Sequence, residues 1–159
     1  MRIDPTTLSP PERYRLLIGC ILPRPIAWMS TVSREGVRNL APFSFFGGVT
    51  AHPVTVMVSI GRRQTEPKDS ARNLLATGEA VVHIPHRPLA EAMVATSADV
   101  VSDVDEFDLA RLATTPAERV RPPRLADAAI VMECKLIKHL QMGLRLTDGC
   151  GDTLDAIVL

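Results

Sequence analysis

The chain has 159 residues, with 18 basic and 18 acidic side chains and a hydrophobic content of 46%. A chain of this length and composition can bury roughly 68–70% of its unfolded surface as one domain, which argues against disorder. Zero net charge and only 4% aromatic residues supply neither a basic face for phosphates nor a platform for stacked bases, so no nucleic-acid partner is expected.

The arginines at Arg62-Arg63 and at 119–124 are flanked or interrupted by acids and read as solvated surface. The longest apolar run, residues 16–22, falls far short of the ~20 residues that span a bilayer. The opening Met1-Arg2-Ile3-Asp4-Pro5 has no apolar signal core, so a cytoplasmic protein with no membrane partner is expected. Cys20, Cys134 and Cys150 form no CxxC pair and fit reduced thiols better than a disulfide framework or a zinc site.

Residues 8–22 read as a helix entered through Ser9-Pro10-Pro11, with Tyr14, Leu17 and Ile18 on one side, and Pro23 and Pro25 end it. Residues 26–32 have strand composition, 33–36 form a turn, and 37–46 return antiparallel. Val54, Val56, Val58 and Ile60 alternate with Thr55, Met57 and Ser59, the period of a strand. A polar loop is predicted at 61–67, then a short helix over 70–77 capped by Asp69 and ended by Gly78.

A strand at 79–84 precedes a helix at 88–97, whose Leu89, Ala92, Met93 and Thr96 share a face. The acidic stretch 99–108 is expected at the surface, leading into a helical turn at 109–112. A proline-rich connector then reaches a long strand at 130–137, and segments at 144–146, 147–152 and 154–159 suggest a final hairpin. The chain stops within apolar Ala156-Ile157-Val158-Leu159, so either that strand is fully paired or the chain has been shortened. Short strands joined by tight turns predict a mainly β fold with peripheral helices, an antiparallel barrel that is closed or partly closed.

No metal site is expected, because His52, His83, His86 and His139 form no HxxxH or HExxH pair. The acidic run 103–108 lacks both the central glycine and the twelfth-position glutamate of a calcium loop. No GxSxG elbow is present, and no Ser or Cys adjoins a His, so no catalytic residue is assigned. Lys68-Asp69-Ser70-Ala71-Arg72-Asn73 places a lysine, a hydroxyl and backbone amides at one helix N-terminus. It reads either as an anion site or as an ordinary capped helix. In 39–48, Pro42 removes a ladder donor, so the backbone is expected to leave regular pairing there. The freed groups would serve a flat heteroaromatic ligand, or the segment is an edge bulge packed with phenylalanines.

Arg24-Pro25-Ile26-Ala27-Trp28-Met29-Ser30-Thr31-Val32, the Gly36 turn and Asn39-Leu40-Ala41-Pro42-Phe43-Ser44-Phe45-Phe46 closely resemble the flavin reductase-like, FMN-binding split-barrel family. That family includes flavoredoxin and the reductase components of two-component monooxygenases. The likeness continues through Lys68-Asp69-Ser70, Asn73, Thr77-Gly78-Glu79, Leu89-Ala90-Glu91-Ala92-Met93, Thr96-Ser97-Ala98-Asp99 and Val104-Asp105-Glu106-Phe107.

The resemblance implies one six-stranded, Greek-key-like antiparallel split-barrel domain over 1–159, short of the family's usual C-terminal strand and tail. It also implies a homodimer with FMN, or FAD, near the subunit interface, and NAD(P)H as co-substrate. Arg24, Ser30, Thr31, Lys68 and Ser70, with Asp69 beside them, are expected around the ribityl phosphate. Asn39, Ala41, Pro42, Phe43 and Ser44 are expected to flank the ring through their backbone. Asn73 would hold the second site loop, and Trp28 lies either beside the ring or in the core. The function implied is an NAD(P)H-dependent flavin reductase serving an oxygenase or electron-transfer partner. The alternatives are a non-catalytic FMN carrier and a flavin-free dimeric relative.

Overall fold

The computed structural model describes residues 2–63, 66–143 and 153–159. Helix α1 (Pro10–Cys20) begins where Glu12 Oε2 accepts Ser9 N–H at 2.9 Å and the Ser9 hydroxyl at 2.6 Å. Strands β1 (Ala27–Val32) and β2 (Arg38–Phe43) form a hairpin whose turn uses Gly36 at φ +94°. Then come β3 (Phe46–Ala51), β4 (Val54–Arg63), β5 (Glu66–Pro67), α2 (Asp69–Thr77) and β6 (Glu79–Ile84). Short α3 (Ala90–Ala95) and α4 (Glu106–Leu109) are followed by β7 (Thr114–Thr115) and β8 (Arg124–Leu125). The described chain closes with β9 (Ile130–Lys135), β10 (Lys138–Gly143) and β11 (Thr153–Val158).

One sheet has the order β2-β1-β6-β9 and the other β10-β11-β4-β3, with every pairing antiparallel. Two stretches of chain serve both sheets. β2 passes into β3 across Ser44-Phe45, and β9 into β10 across Leu136-Ile137. With each stretch counted as one bent strand, neighbours run β1, β2–β3, β4, β11, β10–β9, β6 and back to β1. That ring of six, split where pairing changes sheet, is the expected antiparallel split barrel.

β1 is buried on both faces, which organises the core. Ala27 and Met29 face a cluster with Val58, Ile60, Leu74, Val82 and Ile157, between the sheets and α2. Trp28, on the opposite face, packs with Leu40, Phe107 and Leu125. Each fully buried side chain of this size stabilises by ~1.5–3 kcal/mol. The alternation expected in β4 holds for Val58 and Ile60, whereas Val54, at 81% exposure, projects past the core.

Several expectations shift. No residue of α1 is buried, Tyr14 and Leu17 of the predicted apolar side are exposed, and Tyr14 makes an edge contact with Phe45, ring centroids 6.4 Å apart. Where a loop is predicted over 61–67, residues 61–63 are strand and Arg62 and Arg63 pair with Pro67 and Glu66. The helical turn expected at 109–112 forms earlier, at Glu106–Leu109, where the Asp105 carboxylate caps Phe107 N–H at 2.9 Å. The final hairpin joins β10 to β11, and β11 is also paired with β4. The segments predicted at 144–146 and 147–152 lie outside the described residues. Among the described residues no helix is long and apolar enough to cross a membrane.

His83, fully buried on β6, ties β1 to β8. Its Nδ1 lies 2.8 Å from Trp28 C=O, and its Nε2 lies 3.0 Å from Leu125 N–H. Only the neutral ring with its proton on Nδ1 satisfies both. Burial pushes its pKa down from 6.5 to about 4, against a smaller opposing effect of the Trp28 carbonyl. Since the unfolded chain binds this proton more readily, stability is full above pH 6.5 and falls as pH drops toward 4. The loss reaches about 3 kcal/mol at the limit. Urea midpoints between pH 7 and 4 are expected to show this decline, and His83→Gln is expected to flatten it.

Candidate functional site

The site lies along the outer edge of β2, the edge strand of its sheet. Pro42 stays in register opposite Trp28, contrary to the expected departure from pairing. The reason lies two residues earlier. Leu40 N–H points away from β1 and donates to Glu106 Oε2 at 3.0 Å. Strand alternation then turns the Pro42 nitrogen outward as well, where no ladder bond exists to lose.

Beyond this edge is a cavity of about 110 Å³. Its near wall is Asn39, Ala41, Pro42 and Phe43 of β2, and Lys68, Asp69 and Ser70 open one end. Thr96, Ser97, Ala98 and Asp99, of the loop after α3, line it too, and Arg63 and Glu106 complete the wall. The Arg63 guanidinium pairs with Asp99 and donates to Val100 C=O at 3.2 Å, tying the end of β4 to that loop. Trp28 Nε1 holds the loop's start through Thr96 Oγ1 at 2.9 Å.

The start of α2 is built differently from the sequence expectation. Lys68, not Asp69, is the N-cap, and it makes no side-chain cap. Asp69 is the first helical residue, and its carboxylate pairs with Arg72. The first helical bond is Arg72 N–H to Lys68 C=O at 3.0 Å, so the amides of Asp69, Ser70 and Ala71 have no helical acceptor. Gly78 ends α2 at φ +74°, its N–H bonding Leu74 C=O.

A buried polar cluster fixes this helix to the sheet. Asn39 Nδ2 donates to Thr31 Oγ1 at 3.2 Å and to Ser70 Oγ at 2.9 Å, and Asn73 Nδ2 donates to Thr31 Oγ1 at 3.3 Å. Ser70 Oγ thereby accepts from within the protein and keeps its own proton for an acceptor in the cavity.

Of the residues singled out in the sequence, seven line the cavity: Asn39, Ala41, Pro42, Phe43, Lys68, Asp69 and Ser70. The others sit elsewhere. Ser30 is fully buried and donates to Pro123 C=O at 2.7 Å, and Thr31 is spent on the two asparagines, so neither hydroxyl reaches the cavity. Asn73 acts from within that cluster. Trp28 takes the core alternative. Arg24 donates to Ser44 Oγ at 2.7 Å and lies 5.8 Å from the Phe45 ring centroid, a separate pair at the Ser44-Phe45 corner.

Arg63, the 96–99 loop and Glu106 join the wall without having been assigned a role from sequence. The motifs Thr96-Ser97-Ala98-Asp99 and Val104-Asp105-Glu106-Phe107 were the available signal. Glu106 is buried at 6% exposure, and desolvation raises its pKa, opposed in part by the Leu40 amide. Among the described residues no cluster of His, Cys, Asp and Glu is arranged to hold a metal ion.

In chemical terms the cavity offers one lysine, helix amides without a helical acceptor and a hydroxyl at one end, and small or apolar side chains along a strand edge. That combination suits a ligand with an anionic group and a flat apolar body. A protein from Halalkalibacterium halodurans, BH2278, is 42% identical over 144 residues, covering 90% of this chain and 69% of that protein. The chain spans about two thirds of the length of the curated relatives it matches, from 64% to 69% for four of them.

Among solved structures, nitrilotriacetate monooxygenase component B from Bacillus cereus superposes with a TM-score of 0.87 at 35% identity, covering 99% of this chain and 78% of that one. The 2-nitrobenzoate 2-nitroreductase NbaA of Pseudomonas fluorescens gives a TM-score of 0.83 at 27% identity, covering 99% and 72%. The sequence pattern of the flavin reductase like domain matches residues 18–147, which takes in the β2-β1-β6-β9 sheet, α2 and the whole cavity wall, and the chain belongs to that family.

Proposed function

We propose that this protein is an FMN-binding oxidoreductase that takes hydride from NAD(P)H and passes reduced flavin or its electrons to a partner. The observation that carries this reading is the uncapped start of α2. There Lys68, the Ser70 hydroxyl and three amides without a helical acceptor meet a strand edge of Ala41, Pro42 and Phe43.

The donor set fits FMN. Lys68 and the α2 amides would hold the phosphate through charge-assisted hydrogen bonds, with Asn39 keeping Ser70 turned toward it. Asp69 is compatible with an anion there because its carboxylate is engaged by Arg72. The β2 edge would flank the ring. A bound flavin supplies the hydride chemistry itself, so the protein's tasks are to bind it, orient it and exclude water. FAD would fit the same anion site, and FMN is the simpler match to one phosphate-sized end.

A second copy of the chain and a cytoplasmic setting belong to the same proposal. Tyr14, Leu17 and Ile21 of the α1 region, with Val49 and Val54 near β3, leave apolar surface exposed that a homodimer would cover. An oxygenase is the partner favoured by the likeness to a monooxygenase component.

The purified protein is expected to retain a visible flavin band after FMN is added and excess removed by desalting. Lys68→Ala is expected to weaken FMN binding roughly 10- to 100-fold, since a charge-assisted bond is worth ~1.5–3 kcal/mol, while riboflavin binding stays nearly unchanged. Equal loss of both ligands would remove the phosphate assignment, and no retained flavin would favour a flavin-free relative. Anaerobic NADH or NADPH is expected to bleach the bound flavin within seconds. Slow bleaching with ready reduction by a protein donor would point to an electron carrier instead.

A further inference from the structure

Glu106 has no part in the binding scheme above, yet it is the buried carboxylate of the cavity wall. A carboxylate removed from water is costly, and an amide would satisfy a backbone N–H without the charge. Three attachments hold it in place. Arg38 of β2 donates to Asp105 and, at 3.0 Å, to Asp108, one on either side of Glu106. The Arg38 guanidinium also lies 5.4 Å from the Phe107 ring centroid. Phe107 itself is fully buried against Trp28 and Leu40. Helix α4 is thus clamped onto β2, and the Glu106 carboxylate meets Leu40 N–H at 3.0 Å.

We infer that Glu106 is a positioning residue of the flavin cavity, fixing the outer edge of β2 through the Leu40 amide so that the ring-flanking stretch 39–43 has one depth and orientation. The inference rests on the flavin reading above. Without this acceptor, the Leu40 amide would be left buried and unpaired, and the edge would be free to shift or to bond the ligand in another register. Glu106 acts on the ligand through β2, so replacing it changes how flavin is held as well as how tightly.

The test measures FMN dissociation constants, the visible circular dichroism of bound flavin, and Leu40 amide exchange in wild-type protein, Glu106→Gln, Glu106→Asp and Glu106→Ala. Glu106→Gln keeps an oxygen at the same reach and is expected to stay within about twofold of wild type, with the same flavin spectrum. Glu106→Asp, one methylene shorter, and Glu106→Ala are expected to bind FMN at least roughly tenfold more weakly, to alter the flavin spectrum and to speed Leu40 exchange.

Glu106→Asp serves on its own if the alanine variant fails to fold. If wild type binds FMN and Glu106→Asp binds it equally with an unchanged spectrum, the inference is overturned and the flavin reading stands. If wild type retains no FMN, the flavin reading has failed, and this inference falls with it.

Discussion

Thr31 sits at zero exposure in a central strand, and its hydroxyl must be satisfied from inside the protein. Asn39 reaches it from β2 and Asn73 from α2, and no water-facing group takes part. That one requirement sets the relation between sheet and helix. Once α2 is held over β1 and β2, its uncapped end opens beside the β2 edge, and the cavity follows from the docking. The same asparagine that serves Thr31 also orients Ser70, so the buried cluster and the cavity wall share a member. A change to Asn39 would therefore disturb the packing of α2 and the cavity wall together.

The second constraint is topological. β2 belongs to one sheet and β3 to the other, with only Ser44-Phe45 between them. The cavity draws its near wall from β2 and part of its far wall from Arg63 at the end of β4, in the opposite sheet. Arg63 in turn ties down the loop after α3. The cavity is thus framed by both halves of the split barrel.

The period of two in the sequence located β4 and β9, while strand composition between turn signals located β1, β2 and β6, of which β1 is buried on both faces and shows no alternation. Three residues of the motif at 68–73, Lys68, Asp69 and Ser70, line one part of the cavity. What stayed hidden depended on contacts far apart in the chain. Ser30 and Thr31 look like ligand donors in sequence, but the hydroxyls are consumed by Pro123, Asn39 and Asn73. Asp69 looks like a helix cap, yet Arg72 three residues on captures it. Pro42 looks like a break in the ladder, and only the edge position of β2 shows why it breaks nothing. The motif at 104–107 contains Glu106 but gives it no role, because its partner Leu40 is 66 residues away.

The outer edge of β2 also bears on how chains can associate. An exposed strand edge ordinarily invites another strand to add on through alternating donors and acceptors. Here two successive outward positions offer no donor, since Leu40 N–H is already bonded to Glu106 and Pro42 has none. A strand approaching this edge would find carbonyls without matching amides over its central span. Growth of the sheet by strand addition is therefore blocked beside the cavity, and any neighbour that comes to rest there must do so through side chains, leaving the mouth free of a continuous ladder.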